Sequence, residues 1–200
     1  YELALTNFIK TEDEFPDFFT YLNKFKEILI NRSQIEHCLD WFDLHQIRMK
    51  DKNKTGKIKK MLFDGPKIVA PQRSNENTFG YNESPWYASA DVYFITSKGI
   101  RNIELKYILA LLNSKLYYQW LYHRGKRKGE ALELYQVPLS EVPIKVIGKE
   151  EQQPFIQLVD RILAITTKTD YDPHNPPQEQ KKLEREIDQR VYKLYGLTKE

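Results

Sequence analysis

The sequence predicts an α+β protein: a mixed or antiparallel, sheet-rich domain with a packed central helix, followed by an antiparallel helical hairpin. Two short apolar runs, Ile68–Ala70 and Val92–Ile95, are separated by polar residues and predict strands. An apolar stripe at helical spacing over residues 105–121 predicts the central helix. Two further stripes near the C-terminus predict the hairpin, so we expect domains at residues 1–148 and 149–200.

Length and composition restrict the classes of function. The 200 residues carry a net charge of +3 and have a pI of about 8.7. This charge is too small to indicate a nucleic-acid partner by itself, so the distribution of the charge along the chain matters more. Cys38 is the single cysteine, which excludes an internal disulfide and fits a reducing cytosol. No run of 18 or more apolar residues occurs, so we expect no membrane span. The N-terminus lacks both a methionine and a signal-peptide pattern, and we expect a fragment of a longer chain.

The first third of the chain contains a helix and then the densest positive charge. Apolar residues at helical spacing, with Pro16 ahead of them, predict an amphipathic helix over residues 17–32. Residues 48–67 contain eight Lys or Arg side chains against only Asp51 and Asp64. This segment is either an arm that contacts phosphates or a solvated, lysine-rich surface loop. Its candidate phosphate contacts are Lys54, Lys57, Lys59 and Lys60.

A polar loop lies between the two predicted strands, at residues 72–82. It contains Arg73, Asn75 and Asn77, side chains of the types that pair with base edges in the major groove of DNA. The same residue types are common in ordinary surface loops. The loop is therefore a candidate base-reading element, and a plain connection between strands is the alternative.

The central helix has start and stop signals. Asn102 is a candidate N-cap with Glu104 in the first turn, and Gly125 can end the helix. A basic loop flanked by glycines follows, and its cations suit either the negative end of the helix or a nucleic acid. Its candidate phosphate contacts are Arg124, Lys126, Arg127 and Lys128.

The C-terminal part is predicted to begin with a short strand or extended segment at residues 134–147 and to continue with two helices. Pro154 fits the first turn of the first helix, where a missing N–H is tolerated. Asn175 and Pro176 fit the cap and the first residue of the second helix. A short polar connection between the two helices predicts that they lie antiparallel.

Catalytic and metal-binding patterns are missing from the sequence. The four histidines are far apart and lack metal-ligand spacing. Glu104 and Lys106 match the Glu-x-Lys fragment of many nucleases, but they lack a convincing partner carboxylate on a neighbouring strand. Residues 175–178, NPPQ, resemble the Asn-Pro-Pro-aromatic motif of adenine aminomethylases without its aromatic residue, and a helix start explains them. We therefore expect no catalytic residue, metal ligand or cofactor in this chain.

Several phrases, in chain order, resemble the C-terminal target-recognition domain of TaqI-like adenine-N6 DNA methyltransferases and of fused methyltransferase-endonucleases (type IIG). They are FPDFFTYLNKFKEILINRS (15–33), KIVAPQRSNENTFGY (67–81), DVYFITSKG (91–99), YILALLNSKLYYQWL (107–121) and ELYQVPLSEVPI (133–144). Residues 183–200 resemble the helical tail of the same enzymes. The chain is also similar to one recognition half of type I specificity subunits.

The resemblance implies a module of a bacterial, cytoplasmic restriction system that docks on duplex DNA, reads a short asymmetric site and presents adenine to a catalytic domain. Catalysis and S-adenosylmethionine binding would lie upstream, outside this chain. The candidate base contacts are Arg73, Asn75 and Asn77 of the polar loop and Gln136 at the end of the loop at residues 123–136. Two alternatives stay open: a subunit adaptor of a restriction or phage-defence complex, and a small nuclease using Glu104 and Lys106.

Overall fold

The computed structural model describes residues 16–32, 41, 65–86, 88, 91–97 and 102–197. These residues belong to two compact units, Tyr1–Met61 and Leu62–Glu200, and each unit is described by itself. Within the described ranges, no helix combines the length and the apolar character needed to cross a bilayer.

The first unit contains α1 (Pro16–Asn23) and α2 (Lys26–Ile30). One continuous helix was expected here, but the N–H of Lys24 donates to a carbonyl only three residues back, and the helix breaks. The predicted apolar stripe consists of Phe18, Leu22, Phe25 and Leu29. The buried residue of α1 is instead Phe19, whereas Phe18 is 42% exposed. The predicted helix is therefore found at the expected residues, but as two helices instead of one.

In its described part the second unit contains six short strands: β1 (Lys67–Pro71), β2 (Arg73–Ser74), β3 (Gly80–Asn82), β4 (Val92–Ile95), β5 (Lys126–Lys128) and β6 (Ala131–Glu133). They form two three-stranded sheets, in the orders β3-β1-β4 and β2-β6-β5, and every pair is antiparallel. The two strands predicted on either side of the polar loop are β1 and β4, which pair directly with Val69 opposite Phe94. Ile68 and Ala70 of β1 are fully buried in the core.

The polar loop at residues 72–82 is partly ordered into β2 and β3. Gln72 links the two sheets, because its N–H donates to the Asp91 carbonyl (2.8 Å) and its carbonyl accepts from the Leu134 N–H (2.9 Å). The basic loop predicted after the central helix is instead the β5–β6 hairpin, with Gly129 in its turn at φ 63°. Because β5 consists of charged residues only, neither alternation nor apolar content indicated a strand there.

The second unit also contains five helices in its described part: α3 (Leu105–Leu112), α4 (Lys115–Arg124), α5 (Gln136–Ser140), α6 (Lys149–Thr166) and α7 (Gln178–Leu194). The predicted central helix is α3 plus α4, interrupted at Asn113 and Ser114. The Ser114 hydroxyl accepts from the Tyr117 N–H (3.4 Å) and thereby caps α4. All residues of α3 except Lys106 are buried, and Gly125 ends α4 as predicted.

Three helix starts differ from the predicted positions. α3 begins after Glu104, and the predicted cap Asn102 has a left-handed φ of 67°. α6 begins five residues before Pro154, which therefore lies in its second turn. α7 begins after Pro177, two residues beyond the predicted cap Asn175. Cap signals are local and weak, and packing of the helices against the core decides where each helix begins.

α6 and α7 form the predicted antiparallel hairpin, since Arg161 near the end of α6 pairs with Glu179 near the start of α7 (3.5 Å). The hairpin shares one core with α3 and α4. Phe155 packs edge-on against Tyr107 with ring centres 5.3 Å apart, and Asp188 accepts from the first N–H of α4 (2.8 Å). A domain boundary at residue 148 stays a prediction.

The predicted α+β class is confirmed, with seven helices and two small antiparallel sheets among the described residues. The sheet β2-β6-β5 positions the candidate site. It places the start of the polar loop and the basic hairpin on adjacent strands, although the two segments are separated in the sequence by β3, β4, α3 and α4.

Candidate nucleic-acid interface

One row of charged side chains crosses the sheet β2-β6-β5. Arg73 of β2 and Lys126 of β5 are both Cα partners of Glu133 on the central strand. Partners in register project to the same face of an antiparallel sheet. Arg73 Nε lies 3.4 Å from Glu133 Oε1, and Lys126 Nζ lies 3.4 Å from Glu133 Oε2. The sheet therefore brings together one candidate base contact and one candidate phosphate contact.

Tyr135 completes this row. Arg73 Nη2 donates to the Tyr135 hydroxyl (2.9 Å), and that hydroxyl donates to Glu133 Oε1 (3.2 Å). The Tyr135 ring packs edge-on against Tyr93 with ring centres 6.3 Å apart. Lys126 Nζ lies 5.5 Å from the centre of the Tyr135 ring, within the range of a cation–π contact. Arg73 and Lys126 thus both contact Glu133 and Tyr135.

The two cations cover the carboxylate and face solvent. The Glu133 side chain is 6% exposed, whereas 47% of the Arg73 side chain and 66% of the Lys126 side chain are exposed. Burial alone raises the pKa of Glu133, but the hydrogen bond from Tyr135 and the charges of Lys126 and Arg73 outweigh burial and lower that pKa. The hydrogen bond with Tyr135 and the Glu133 carboxylate raise the pKa of Arg73. Glu133 and Arg73 are therefore both charged at neutral pH.

The two faces of the β5–β6 hairpin carry different basic residues. Arg127 is the Cα partner of Leu132, which is buried in the core. Side chains alternate along a strand, so Arg127 and Lys126 project to opposite faces. The Arg127 guanidinium lies over Tyr122, 4.1 Å from the ring centre. Lys128 is exposed on the face of Lys126, so two of the three cations in β5 lie on the side of the charged row.

A cleft of about 460 Å³ adjoins this row and is lined by Lys126 and Tyr135. Arg124, the last residue of α4, lines the same cleft together with Val137. Gln136, between Tyr135 and Val137 in sequence, is exposed as the first residue of α5. We call this set the Tyr135 surface: Arg73, Arg124, Lys126, Glu133, Tyr135 and Gln136.

The two asparagine candidates lie in different environments. Asn75 is exposed just after β2. Asn77 is turned inward, and its Nδ2 donates to the carbonyls of Leu112 (2.6 Å) and Ser114 (2.9 Å) where α3 ends and α4 begins. A base contact by Asn77 stays a prediction, and such a contact would have to replace both hydrogen bonds.

The lysine-rich arm supplies four further candidate phosphate contacts. Lys54, Lys57, Lys59 and Lys60 lie outside the described residues, and their phosphate contacts stay a prediction. The Tyr135 surface belongs to the second unit alone.

Lys106, which suggested the nuclease alternative, lies in a second charged cluster. Its Nζ is 2.8 Å from Asp160 Oδ1 and 3.3 Å from Glu83 Oε1. Burial and a hydrogen bond to Glu83 raise the pKa of Tyr81, whose ring lies 5.1 Å from Lys106 Nζ, to about 12. Across the described part of the chain, no group of three or more His, Cys, Asp or Glu side chains could hold a metal ion. Lys106 thus forms ion pairs with two carboxylates, Asp160 and Glu83.

Glu133 and Tyr135 were not among the site residues proposed from the sequence. In the segment 131–135, ALELY, apolar residues alternate with Glu133 and Tyr135, a period typical of a half-buried strand. That alternation could have indicated that the two side chains share a face. Their contact with Arg73 could not have been read from any local pattern, since Arg73 lies 60 residues before Glu133.

Comparison with known proteins identifies the family. Residues 26–144 match the TaqI-like C-terminal specificity domain. The chain belongs to this family. The match covers more than half of the chain and includes every residue of the Tyr135 surface, and it confirms the resemblance found in the sequence. The specificity domain is thus a target-recognition domain of the kind found in restriction-modification methyltransferases.

The specificity domain is similar to part of two methyltransferases of Haemophilus influenzae. The type II methyltransferase M.HincII is 28% identical over 133 residues, which cover 66% of this chain and 26% of the relative. The type II methyltransferase M.HindII, from strain Rd, is 29% identical over 136 residues, which cover 66% of this chain and 25% of the relative. The chain therefore spans about a quarter of the length of the curated relatives that it matches.

The fold of the specificity domain is also found in a solved restriction-modification enzyme. The type IIL enzyme MmeI, determined in complex with DNA, matches with a TM-score of 0.60 at 18% identity. The match covers 92% of this chain and 24% of that chain. Because so much of the chain is covered, the likeness extends into the α6–α7 hairpin, which lies beyond the family match.

Proposed function

We propose that the specificity domain reads a short, asymmetric site on double-stranded DNA for a restriction-modification adenine-N6 methyltransferase. It would position the target adenine for a catalytic domain that lies outside this chain and binds S-adenosylmethionine. Its partners are duplex DNA and the catalytic domain of the same polypeptide, in the cytoplasm of a bacterium. The domain itself selects the place of the reaction and carries out no chemistry.

The observation that carries this proposal is the arrangement of charge on the Tyr135 surface. Arg73 and Lys126 are exposed on one face of a sheet, and Glu133 is buried beneath them. Cations that neutralise phosphates supply most non-specific affinity for DNA, whereas side chains of defined geometry discriminate between bases. This surface combines both kinds of side chain, with Arg124 and Lys126 as phosphate contacts and Arg73 held by Tyr135 as the base contact.

The relatives support the assignment of the parent enzyme. Two of them are type II methyltransferases, and the DNA-bound MmeI is a restriction-modification enzyme. Since the chain spans about a quarter of each, the catalytic part of its own parent would lie in the remaining sequence. The resemblance to TaqI-like adenine-N6 enzymes supports adenine as the methylated base.

Selection of bound sequences from a random duplex library tests the proposed readout. We expect the chain to enrich one short asymmetric motif, and to bind random duplex more weakly with an affinity that falls as salt rises. Equal binding to all sequences would contradict site reading. A lack of any binding at micromolar protein and low salt would favour the subunit adaptor instead.

Methylation mapping in cells that carry the parent gene tests the choice of base. We expect N6-methyladenine within the motif that the chain selects. Methylated cytosine within that motif would contradict the assignment to an adenine-N6 enzyme.

A further inference from the structure

Among the described residues, the contacts of the Arg73 guanidinium lie along one of its edges. Its Nε lies 3.4 Å from Glu133 Oε1, and its Nη2 donates to the Tyr135 hydroxyl at 2.9 Å. A guanidinium carries five N–H donors in a rigid planar fork. The Nε hydrogen and one Nη2 hydrogen lie along the same side edge of that fork. The end edge, formed by Nη1 and the second hydrogen of Nη2, therefore keeps two parallel donors for a ligand.

The groups that hold Arg73 are themselves held in place. Glu133 is buried in the centre of the sheet, and its other oxygen, Oε2, lies 3.4 Å from Lys126 Nζ. Tyr135 donates to Glu133 Oε1 at 3.2 Å and packs against Tyr93. A side chain fixed in this way loses less conformational entropy when it binds than a mobile one does.

Charge favours a base edge over a phosphate as the ligand of Arg73. The Glu133 carboxylate partly neutralises the Arg73 guanidinium, and it repels an approaching phosphate more strongly than it repels the uncharged edge of a base. The geometry of two parallel N–H donors is not affected by this neutralisation. Lys128, which is exposed on the same face of the β5–β6 hairpin as Lys126, is better placed to contact a phosphate.

We propose, on the basis of the proposed function, that Arg73 reads one guanine in the major groove through the end edge of its guanidinium, with Glu133 and Tyr135 as positioning residues. The O6 and N7 atoms of guanine accept two parallel N–H donors, and this pair of acceptors is presented only in the major groove. Lysine at this position would lack the fork, and phenylalanine at position 135 would lack the hydroxyl that accepts from Nη2.

Variants test the assignment of Arg73 through the motif that each one selects from a random duplex library. For Arg73→Lys we expect the preference for guanine to fall roughly 10- to 100-fold at one position of the motif, with the other positions unchanged. Tyr135→Phe should weaken the same preference to a smaller degree, and it should weaken binding to the selected motif more than binding to random duplex. Arg185→Lys, at an exposed position on α7, is the matched control and should select the wild-type motif.

Modified bases test the groove and the atoms without changing the protein. At the position affected by Arg73→Lys, 7-deazaguanine removes N7, whereas inosine keeps O6 and N7 and removes the minor-groove amino group. We expect 7-deazaguanine to reduce wild-type affinity and inosine to leave it unchanged.

Each outcome separates this inference from the proposed function. If the wild-type chain selects no motif, site reading itself fails. If it selects a motif that Arg73→Lys leaves intact, or if the reduction by inosine exceeds that by 7-deazaguanine, site reading stands and the role of Arg73 is overturned. If Tyr135→Phe weakens binding to all sequences equally, Tyr135 is not a positioning residue for base readout.

Discussion

At the scale of single residues, Asn77 holds the junction between α3 and α4. Its Nδ2 donates to two backbone carbonyls, at 2.6 and 2.9 Å. Asn77→Ala removes both donors, and we expect it to lower the free energy of unfolding by about 1–3 kcal/mol, measured by urea denaturation. Asn75→Ala is the matched control at an exposed position, with an expected change within about 0.5 kcal/mol. Equal losses in the two variants would contradict this structural role.

Glu133 links the stability of the Tyr135 surface to pH. Its pKa is lower in the folded protein than its usual value of 4.5, so the unfolded chain binds the proton more tightly. The resulting stabilisation is fully present above the unfolded pKa and is lost as pH falls through the folded pKa. We therefore expect the difference in free energy of unfolding between wild type and Glu133→Gln to be constant near neutral pH and to shrink in acid.

Urea denaturation from neutral pH down to about pH 3 measures this difference for wild type and Glu133→Gln. Glu130→Gln, at an exposed position in the hairpin turn, is the control for general effects of acid. A wild-type advantage over Glu133→Gln that persists unchanged at the lowest pH would show that the carboxylate charge contributes nothing to it.

At the scale of elements, the β5–β6 hairpin presents Lys126 and Lys128 on one face and Arg127 on the other. Changing both lysines to Gln should flatten the slope of log affinity against log salt by about two, since each phosphate contact contributes about 0.9. Arg127→Gln should leave the slope unchanged, because that guanidinium lies over Tyr122. Fluorescence anisotropy with a random duplex measures both slopes. A similar flattening by Arg127→Gln would mean that the hairpin contacts DNA with both faces.

The end of α4 depends on glycine at position 125. A Cβ there would collide with the backbone carbonyl of Leu121, which cannot move away as a flexible side chain could. We expect Gly125→Ala to lower the free energy of unfolding by roughly 1–3 kcal/mol, seen as a lower melting temperature. At Gly80 an added Cβ would make only an ordinary contact with Val69 (3.9 Å), so Gly80→Ala is the control. The same melting temperature for both variants would rule out the collision.

At the scale of the whole molecule, the α6–α7 hairpin completes the core of the sheet-rich part. The ring of Phe155 packs on Tyr107, and the wholly buried Gln152 accepts from the Glu104 N–H (2.9 Å) and donates to the Asn102 carbonyl (2.8 Å). A chain cut after residue 148 would expose this core to water. We expect it to lose cooperative thermal unfolding in circular dichroism, and to regain it when a peptide of residues 149–200 is added. Cooperative unfolding of the shortened chain alone would mark the predicted boundary as that of an independent domain.

The predictable part of the fold is the part that local patterns encode. Apolar residues at period 3.6 marked α3, α4, α6 and α7, and short apolar runs marked β1 and β4, because each pattern lies within one element. Strand β5 escaped prediction, since its three charged residues become a strand only by pairing with β6. The break at Ser114 was likewise invisible, because the apolar stripe continues through it and the side chains that stabilise the break include Asn77 and Asp188, which are distant in sequence.

The candidate site was predictable in residue type and not in arrangement. The polar loop and the basic segment were both singled out from the sequence, and the structure describes Arg73, Arg124, Lys126 and Gln136 around Tyr135. The inward direction of Asn77 depends on α3 ending beside the loop, and no neighbour in the sequence indicates it. The separation of Arg127 from Lys126 depends on the strand character of β5, which the sequence did not predict.

The sequence by itself determined the α+β class, the family and the two segments from which the site is built. These properties are carried by residues close together in the chain, as periodic apolar stripes and as family phrases. Only the tertiary structure decided that Arg73 and Lys126 meet on either side of Glu133 and that Tyr135 holds Arg73 along one edge. The reason is register, because a side chain finds its cross-strand partner only when two distant strands pair in one alignment.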